Sequence, residues 1–556
     1  MASKHWYVAD FETTTQETYE SDNETRVWLY AICDENANIV NLGDNIDDFM
    51  AFIKGLYGKV IYFHNLKFDG EFILSWLFKN GYLYSDELSL PRCFNTLIGE
   101  MGEFYGIDIK YTKNKILHIY DSLKLLPFKV EQIAIDFGLP ILKGKIDYSD
   151  YTINKTTIEY VCHDVKIVAM ALSQIKSEGM KHRTTASCAY HNYMSMRSEN
   201  YINQCFPDLD GDFLEEWRQA YRGGRSQVNP YYKGYIVTDV KRYDINSMYP
   251  AIMNNEQLPY GKPIAIEEKD MGYFNFELYH LKLEFVLRNG ELPSLLKKCG
   301  IFAGEDSYYI NSDGLEDIWI SNIDFDIMKK HYIILGQKFI EGYGFRTSSS
   351  MFKDYIGKWY SKKQVDKGAK KVVDKFMLNC LYGKFGSNHK GYKKIPYLDE
   401  DGIIKYKKSE IQEMKHYYLP IAIAVTSYAH KYIDDAIIAT GVNNFIYCDT
   451  DSVHTLGDLP KNMIHQTMLG KFKLEANEII AKYVRQKTYI TYEDNKYHIT
   501  CAGMTQEMKD NAIKMYGNDI INIFREGFTM YGKLVPKHVK GGIVLHETTF
   551  QIKFSS

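Results

Sequence analysis

The chain has 556 residues, which is too long for one hydrophobic core and, at about 150 residues per domain, predicts three or four packed units. Hydrophobic residues make up 45% and charged residues 25%, with only 13 prolines, so every large segment can bury enough apolar surface to fold. This composition excludes a disordered protein. The formal net charge of −4, from 67 basic and 71 acidic side chains, does not by itself indicate a nucleic-acid partner.

The nine cysteines are scattered and form no Cys-x-x-Cys pair, which argues against a disulfide framework or structural zinc and favours a reducing cytoplasm. The N-terminus carries Lys4, His5 and Asp10 where a signal peptide needs an apolar stretch. The longest uncharged run, at 417–429, is too short to span a bilayer. We therefore expect a soluble protein that is not secreted and does not enter a membrane.

The charge is unevenly distributed. Residues 1–60 hold eleven acidic and four basic side chains, a balance of −7, whereas residues 351–408 hold fifteen lysines and six acids, a balance of +9. A run of lysines is also compatible with a solvated helix face. The motifs embedded in the second stretch favour an anionic ligand instead.

In chain order, the first 190 residues alternate strand-like runs with helical patterns, which predicts an α/β domain. The predicted strands are Trp6–Ala9, Val27–Cys33, Val60–Phe63 and Ile116–Tyr120, and the predicted helices are Asp47–Gly55, Glu71–Lys79 and Thr156–Lys176. A mainly helical segment follows, which becomes extended around Ile236–Asp244.

The second half begins with a mixed segment at about 255–350 that contains a helix at Asp324–His331. Further on, we predict a helical stretch at 351–385 interrupted near Gly368, a basic β-hairpin at 392–408, a helix at 420–440, a strand-turn-strand at 445–455 and a small mixed unit from about residue 500.

A first group of acids lies in the α/β segment. Asp10 and Glu12 end a strand, where side chains two residues apart point to the same face, although such a pair is also typical of solvated acids. The motif His64-Asn65-Leu-Lys-Phe68-Asp69 follows, and then Tyr160-x-x-x-Asp164 on one helix face. Four acids and a tyrosine suit two-metal hydrolysis of a phosphodiester, because the ions stabilise both reacting oxygens and the phenol orients water.

This order of motifs resembles the DEDD exonuclease superfamily. Lys143 and Tyr148 lie in a Leu-Lys-Gly-Lys-Ile-Asp-Tyr segment between them. Lys143 alone would be an ordinary surface lysine, but the resemblance implies that it assists at the scissile phosphate.

A second group of acids lies in the second half. Asp449 and Asp451 occupy a turn between two apolar strands, and Asp244 ends an extended run far away in the sequence. A calcium loop is a poor alternative, since an EF-hand needs a longer ladder of acids. Phosphoryl transfer needs aligned oxygens and neutralised charge, which carboxylates at separate strand ends supply through metal ions.

Basic side chains accompany this second group. Lys375, Asn379 and Gly383 have helical spacing that places them on one face, with Lys371 one turn earlier. Ammonium groups in this arrangement suit an incoming triphosphate. Lys487 and Tyr489 offer a further basic and aromatic pair for a primer strand.

The sequence resembles the family B DNA polymerases in the motifs Asp-x-x-Ser-x-Tyr-Pro at 244–250, Lys-x3-Asn-x2-Tyr-Gly at 375–383, Tyr-Cys-Asp-Thr-Asp-Ser at 447–452 and Lys-x-Tyr at 487–489. The motif Tyr221-Arg222-Gly223-Gly224 and the long stretch after Pro250 narrow the resemblance to the protein-primed subgroup of small tailed bacteriophages, the phi-twenty-nine type. It covers essentially the whole chain, and only residues 255–320 match loosely.

The resemblance implies a multidomain α/β and α+β fold, in which an RNase H-like DEDD exonuclease domain precedes a right-hand polymerase with palm, fingers, thumb and two insertions. The implied domains are the exonuclease at 1–189, the first part of the palm at 190–254, the terminal-protein insertion at 255–350, the fingers at 351–385, the basic hairpin insertion at 386–418, the second part of the palm at 419–500 and the thumb at 501–556.

It also implies residue roles. Asp244, Ile245 and Asp451 would hold polymerase metals beside Asp449, and Asp10, Glu12, Asp69 and Asp164 would hold exonuclease metals with the help of Tyr160 and Lys143. The implied nucleotide contacts are Tyr249, Lys363, Lys371, Lys375, Asn379 and Tyr382. The implied DNA contacts are Thr13, His64, Asn65, Phe68, Ser122, Leu123, Tyr148, Tyr221, Arg222, Gly223, Gly224, Lys487 and Tyr489.

The implied cofactor is Mg²⁺, with Mn²⁺ as a substitute, and the implied partners are template-primer DNA, single-stranded DNA, dNTPs and a terminal protein that forms a heterodimer with an otherwise monomeric chain. The expected location is the cytoplasm of the infected bacterial host. Two alternatives stay open: a polymerase that uses ordinary nucleic-acid primers, and a nucleic-acid-binding protein without catalysis.

Overall fold

A computed structural model describes residues 5–297 and 307–554, so Lys4 and Cys299, which enter the sequence argument, lie outside the described residues. The described part contains an eight-stranded, a seven-stranded and a four-stranded sheet, and three two-stranded ribbons. Within these residues, every helix is too short or too polar to cross a membrane.

Residues 6–177 build the first sheet and its helices. The strands are β1 Trp6–Thr13, β2 Val27–Asp34, β3 Ile39–Gly43, β4 Val60–Phe63, β5 Leu83–Tyr84, β6 Cys93–Ile98, β7 Phe104–Thr112 and β8 Lys115–Asp121. The helices are α1 Gln16–Asp22, α2 Ile46–Ile53, α3 Leu66–Lys79, α4 Val130–Asp136 and α5 Lys155–Ser177. The strand order is β3-β2-β1-β4-β8-β7-β6-β5, with the parallel pairs β1–β4 and β4–β8 at the centre.

The two faces of β1 enter different cores. Val8 packs in the core that includes α5, whereas Ala9 and Phe11 pack in the core on the opposite face of the sheet. Because strand side chains alternate, Asp10 and Glu12 share the α5 side with Val8.

Helix α3 begins five residues before the predicted start at Glu71, and that boundary of the sequence prediction was wrong. Asn65 takes the left-handed conformation with φ 73°, and the Phe68 N–H donates to its carbonyl at 2.9 Å to open the helix. Gly70 lies inside α3, and a Cβ at this position would come within 3.1 Å of the Phe104 ring. Close packing therefore explains why this helical position is a glycine. A glycine near a helix start thus marks close packing here and not a boundary.

Residues 185–348 add helices and the strands of a separate sheet. The helices are α6 Thr185–Ser195, α7 Glu199–Cys205, α8 Gly211–Trp217, α9 Met248–Asn255 and α10 Asn322–His331. The strands are β9 Ser226–Val228, β10 Ile236–Ile245, β11 Leu258–Ile266, β12 Phe276–Leu287, β13 Glu316–Ser321 and β14 Tyr332–Ser348. The four-stranded sheet has the order β11-β14-β12-β13 and is called the insertion sheet below.

Residues 353–551 complete the fold. The helices are α11 Lys353–Val365, α12 Gly368–Asn379, α13 Leu381–Phe385, α14 Leu419–Thr440, α15 Gln506–Tyr516 and α16 Ile520–Ile523. The strands are β15 Lys390–Gly391, β16 Lys394–Leu398, β17 Ile404–Lys408, β18 Gln412–Glu413, β19 Phe445–Asp449, β20 Ser452–Thr455, β21 Phe472–Arg485, β22 Thr488–Glu493, β23 Lys496–Cys501, β24 Thr529–Val539 and β25 Gly542–Gln551. The predicted interruption at Gly368, the basic hairpin, the long helix and the strand-turn-strand are confirmed.

The seven-stranded sheet brings distant segments together. Its order is β23-β22-β21-β10-β20-β19-β9, so β10 lies between β21 and β20. The register pairs Asp244 of β10 with Ser452 of β20. The strand end that carries Asp244 therefore lies beside the turn at 449–451.

A buried charge network joins the insertion sheet to α14. Asp434 on α14 is fully buried and accepts from His331 Nε2 at 2.7 Å, Arg225 Nη1 at 3.2 Å and Lys330 Nζ at 3.2 Å. Burial alone would raise the pKa of Asp434, but the His331 hydrogen bond and the Arg225 charge lower it to about 2. Since the pKa is depressed, the stabilisation is complete above the ordinary value of 3.8 and is lost as the pH falls towards 2.

We expect Asp434→Asn to lower the free energy of unfolding by about 3 kcal/mol at pH 7, because it leaves buried cations without their counter-charge. Urea unfolding followed by circular dichroism measures this loss, and the difference from the unsubstituted chain should shrink between pH 4 and pH 2. The neighbouring Asp435, whose side chain is 39% exposed, provides the matched control. Asp435→Asn should cost less than about 1 kcal/mol, and equal losses in the two variants would contradict the network.

Candidate active sites

The first acidic cluster lies on the α5 side of the first sheet. Asp10 and Glu12 come from β1, Asp69 from α3, and Asp164 from α5. Glu12, Asp69 and Asp164 are each less than 10% exposed. A cavity of about 160 Å³ opens here and is lined by Asp10, Glu12, His64, Lys143, Tyr160 and Asp164 together with apolar side chains.

Burial and mutual repulsion dominate the electrostatics of this cluster. Burial, followed by the charge of Asp164, raises the pKa of Asp10 to about 7. Burial, followed by the charge of Asp10, raises the pKa of Glu12 to about 9. Burial also raises the pKa of Asp69 and of Asp164. The cluster therefore favours an additional positive charge, whether a proton or a cation.

One cationic side chain already reaches this cluster. Lys143 Nζ donates to Asp164 Oδ2 and lies 4.9 Å from the centroid of the Tyr160 ring. The Tyr160 and Tyr148 hydroxyls lie 2.9 Å apart. Burial works to lower the pKa of Lys143, but the charge of Asp164 outweighs it and the pKa is raised. Lys143 thus contacts Asp164, and Tyr148 contacts Tyr160, which lies one helical turn before Asp164 on α5.

The segments predicted to grip a DNA end meet at Asp121, which the sequence analysis did not single out. Asp121 Oδ1 accepts from the Asn65 N–H at 3.0 Å and from the Leu123 N–H at 2.9 Å. His64 Nδ1 lies 3.0 Å from Ser122 Oγ. Asn65 is exposed, and Thr13, Phe68 and Leu123 are half-buried. An acid at the end of a strand was the only sequence signal for Asp121, and many acids share it.

The second acidic cluster lies where β10, β19 and β20 meet. The Ile245 N–H donates to the Asp451 carbonyl at 2.8 Å, which joins the end of β10 to the turn that carries Asp449 and Asp451. Burial, followed by the charges of Asp451 and Glu475, raises the pKa of Asp244 to about 7. Burial also raises the pKa of Asp451. Asp244 and Asp451, nearly 210 residues apart in the sequence, therefore belong to one site.

The turn at 449–451 has a left-handed residue, Thr450, and is held by contacts with residues 224 and 225. Thr450 has φ 63°, and its N–H donates to the Arg225 carbonyl at 2.8 Å. A Cβ at Gly224 would lie 3.0 Å from the Thr450 side chain, so the motif at 221–224 packs directly against the turn. The Gly223 carbonyl lies 2.6 Å from His430 Nε2.

Arg222 in the same motif is only 4% exposed, and its guanidinium donates to the carbonyls of Leu296 and Trp319 at 3.0 and 2.9 Å. Its role in the described structure is to anchor the motif to the insertion sheet. The role of residues 221–224 in contacting DNA stays a prediction.

Basic and aromatic side chains surround the second cluster. Lys363 Nζ donates to Ser247 Oγ at 2.8 Å, and burial, followed by the charges of Lys375 and Lys371, lowers the pKa of Lys363. The Tyr249 and Tyr382 rings stack with centroids 4.0 Å apart. Asn379 is exposed on α12, the helix that also carries Lys371 and Lys375. The ammonium groups repel one another, which favours binding of a polyanion between them. The neighbouring carboxylates repel one another as well, which favours a polyanion that arrives with bound cations.

Lys487 contributes a further positive charge. Its Nζ lies 2.5 Å from Asp449 Oδ1, and its N–H donates to the Tyr447 hydroxyl at 3.1 Å. Tyr489 packs on Tyr447 at 5.2 Å between ring centroids. Glu475 on β21 is an acid that the sequence analysis missed, since nothing in its own strand distinguishes it from a solvated residue.

The donor chemistry of both clusters fits hard divalent cations, because carboxylate oxygens are the ligands that Mg²⁺ and Mn²⁺ prefer. Asp164 Oδ1 is buried and has no hydrogen-bond partner, so it presents an acceptor that a cation would satisfy. No three acidic, histidine or cysteine side chains in the described part converge into a ready-made ion site.

Comparison with known proteins gives a consistent assignment. The family model for DNA polymerase type B, organellar and viral, matches residues 56–152 and 147–468. The DNA polymerase of Bacillus phage phi29 is 36% identical over 98% of this chain and 99% of that protein. The DNA polymerase of Streptococcus phage Cp-1 is 33% identical over 99% of this chain and 98% of that protein.

Solved structures agree with this result. Phi29 DNA polymerase complexed with primer-template DNA and incoming nucleotide substrates matches with a TM-score of 0.90 at 35% identity, over 99% of this chain and 100% of that chain. The fold is thus a multidomain α/β fold with an exonuclease domain and a polymerase domain. The chain belongs to the type B DNA polymerases of organelles and viruses. It is a DNA polymerase, and the predicted resemblance to the phi-twenty-nine type is confirmed.

We expect Glu12→Gln to stabilise the protein in chelator-containing buffer at pH 8 by at least about 1 kcal/mol. The raised pKa means that folded Glu12 holds a proton that the unfolded chain releases, so stability falls as the pH rises from 4.5 towards 9. Glutamine does not titrate, and the variant should keep that stability. Thermal unfolding measures the effect, with the exposed Glu17→Gln as control. A lower midpoint for Glu12→Gln than for Glu17→Gln would contradict a repulsive cluster.

Proposed function

We propose that the chain copies linear phage DNA from a protein primer, displaces the non-template strand as it advances, and trims mismatched 3′ ends at a separate exonuclease site. The observation that carries the polymerase site is the junction of Asp244 with the turn at 449–451 beside Lys363. The relatives named DNA polymerase support the proposal along the whole chain.

At the polymerase site, Asp244, Asp451 and the Ile245 carbonyl are the groups proposed to hold Mg²⁺, or Mn²⁺, beside Asp449. A bound pair of such ions activates a primer 3′-hydroxyl and stabilises the leaving pyrophosphate. Lys363, Lys371 and Lys375 neutralise the triphosphate, and the stacked Tyr249 and Tyr382 rings form a surface for the nucleotide. Lys487 and Tyr489 are proposed to contact the primer strand, and Asn379 the nucleotide.

At the exonuclease site, Asp10, Glu12, Asp69 and Asp164 are the proposed ion ligands, and the Tyr160 hydroxyl orients the attacking water. Lys143 can turn from Asp164 to the scissile phosphate, because one ammonium group serves either anion. Phe68 is half-buried and offers its exposed face to a base of the single-stranded end. Thr13, His64, Asn65, Ser122, Leu123 and Tyr148 complete the proposed grip.

The insertion sheet within 255–350 is the proposed docking site of a terminal protein whose hydroxyl primes synthesis. Ile333 and Leu335 on β14 are 43% and 58% exposed, which gives this sheet apolar surface for a partner. The complex would be a heterodimer for initiation, and the chain is otherwise a monomer that works in the infected bacterial cell. The rival reading, ordinary nucleic-acid priming, requires no such surface.

The domain boundaries from the sequence remain our proposal. Helices α11 to α13 fall within the proposed fingers at 351–385, and the ribbon β24–β25 falls within the proposed thumb at 501–556. The basic ribbon β16–β17 falls within the second insertion, at 386–418, whose lysines suit phosphate contacts of any sequence.

We expect Asp451→Ala to lower primer extension in magnesium by more than about a hundredfold, because it removes charge stabilisation at the transition state. Degradation of a labelled 3′ end should persist, since the acids proposed for it come from β1, α3 and α5 and not from β10 or the turn at 449–451. Asp10→Ala is the reciprocal control, and it should stop degradation while synthesis continues. Retained incorporation by Asp451→Ala, or loss of both activities in either variant, would contradict two separate sites.

We expect the chain to attach the first nucleotide covalently to its terminal protein. The assay incubates both proteins with a labelled nucleotide and template, and looks for label that stays with the terminal protein in denaturing gel electrophoresis. Asp451→Ala should give no adduct. Normal extension of oligonucleotide primers without any adduct would favour nucleic-acid priming, and binding without any extension would favour the non-catalytic alternative.

A further inference from the structure

Two histidines lie at the two ends of residues 386–418, the proposed second insertion. His389 comes directly before β15, and His416 follows β18. Strands β15 and β18 pair with each other, and the Met414 N–H donates to the His389 carbonyl at 2.6 Å. The two imidazole rings therefore meet, with their centroids 5.1 Å apart and their planes at 83°.

The ring of His389 is buried without a hydrogen bond. The residue is 2% exposed, and neither Nδ1 nor Nε2 has a hydrogen-bond partner within the described residues. A neutral imidazole carries one donor nitrogen and one acceptor nitrogen. Leaving both unpaired and away from water is unfavourable. The buried acceptor nitrogen therefore points to a ligand that the described side chains do not supply.

A small gap lies beside this ring. A Cβ built on Gly211, the first residue of α8, would lie 3.9 Å from His389 Nε2 and 3.8 Å from His416 Cε1. Both rings therefore face one point beside Gly211, which has no side chain to fill it. His416 Nδ1 lies 3.4 Å from Asp208 Oδ1, so Nε2 is the His416 nitrogen that can serve as a ligand at this point.

The surroundings keep His389 in the form that binds metal ions. Burial, followed by the charges of His416, Arg218 and Lys390, lowers the pKa of His389. Its ring is therefore neutral at neutral pH and offers a lone pair, as a metal ligand must. Glu215 Oε2 accepts from Lys390 Nζ at 2.5 Å and offsets the nearest of these positive charges.

We propose that His389 and His416 bind one zinc ion through their Nε2 atoms, with water at the remaining positions. Zinc accepts imidazole nitrogens at about 2.0–2.1 Å, and Asp208 orients His416 as a carboxylate behind a metal-bound histidine does. Because no third histidine, cysteine or acid joins them in the described part, the affinity depends on both rings. The ion joins the two ends of residues 386–418.

This zinc site is separate from both acidic clusters and has no part in either proposed chemical step. The absence of Cys-x-x-Cys pairs argues against zinc held by cysteines, but it has no bearing on imidazole ligands. Zinc favours nitrogen ligands, whereas magnesium favours the carboxylates of the two clusters. The two kinds of site can therefore be measured independently in one chain.

The first test measures zinc binding by isothermal titration calorimetry, with magnesium in large excess to occupy the carboxylates. The unsubstituted chain should bind one zinc ion more than His389→Asn or His416→Asn, which each remove one ligand. Asp208→Asn should weaken the binding by about tenfold, the effect of losing a carboxylate behind a metal ligand. His498→Asn removes an exposed histidine on β23 and should change nothing.

The second test fills the gap and leaves both histidines in place. Gly211→Ala adds one methyl group at the point that the two rings face, and alanine is favoured over glycine in a helix. The variant should therefore fold at least as well as the unsubstituted chain and bind zinc at least about tenfold more weakly. Gly357→Ala, at a helical glycine with open space around it, is the matched control and should bind zinc normally.

Hydrogen exchange locates the bound ion. Zinc should slow exchange of the Met414 amide, which donates to the His389 carbonyl, in the unsubstituted chain but not in Gly211→Ala. Equal zinc binding by the unsubstituted chain, His389→Asn and Gly211→Ala would overturn the proposal and would mean that only water fills the gap. Should a histidine variant fail to fold, Gly211→Ala still decides the question. Primer extension enters none of these measurements, so their outcome is independent of the proposed function.

Discussion

Carboxylates held close together and away from water are the constraint on which both active sites depend. At the first cluster, burial and repulsion raise the pKa of Asp10 to about 7 and that of Glu12 to about 9. At the second, they raise the pKa of Asp244 to about 7. As the pH rises through these values, ionisation of the clustered carboxylates destabilises the folded chain unless cations compensate their charge. This unfavourable charge is what the proposed divalent ions would neutralise, and the packed cores around each cluster keep the acids from moving apart.

The two clusters hold carboxylates close together through different local structures. The first uses the alternation of a strand and the spacing of a helix, so that β1 and α5 present acids to a common cavity. The second uses a restrained turn, in which Thr450 at φ 63° packs on Gly224 and bonds to the Arg225 carbonyl. Arg225 also bonds to Asp434 in the network that reaches His331 of α10, the helix between strands β13 and β14 of the insertion sheet. Hydrogen bonds thus connect the turn at 449–451, through Arg225 and Asp434, to the helix that joins two strands of the sheet proposed to dock the terminal protein.

The sequence predicted well the features that depend on local periodicity. The pairs Asp10 with Glu12 and Tyr160 with Asp164 follow from strand and helix spacing, and the hairpin at 392–408 follows from its turn residues. Features that depend on tertiary contacts were missed. Asp121, Glu475 and Glu71 look like ordinary acids in their own segments, and only the folded chain shows what they touch. Helix α3 was predicted to start at Glu71, five residues too late, whereas Gly70 lies inside it and packs closely against the Phe104 ring.

Helix α3 shows how such tertiary contacts connect two functions that the sequence presents as separate. Asp69 on one side of it belongs to the first acidic cluster, and Glu71 on another side contacts Tyr406 and His538 of the two ribbons. Because α3 is packed on both sides, the ribbons lie against the same helix that carries Asp69. The exonuclease domain therefore contacts both ribbons of the second half of the chain, and it also presents the first acidic cluster. This arrangement explains why the acids of α3 stand so close together in sequence while they face different partners.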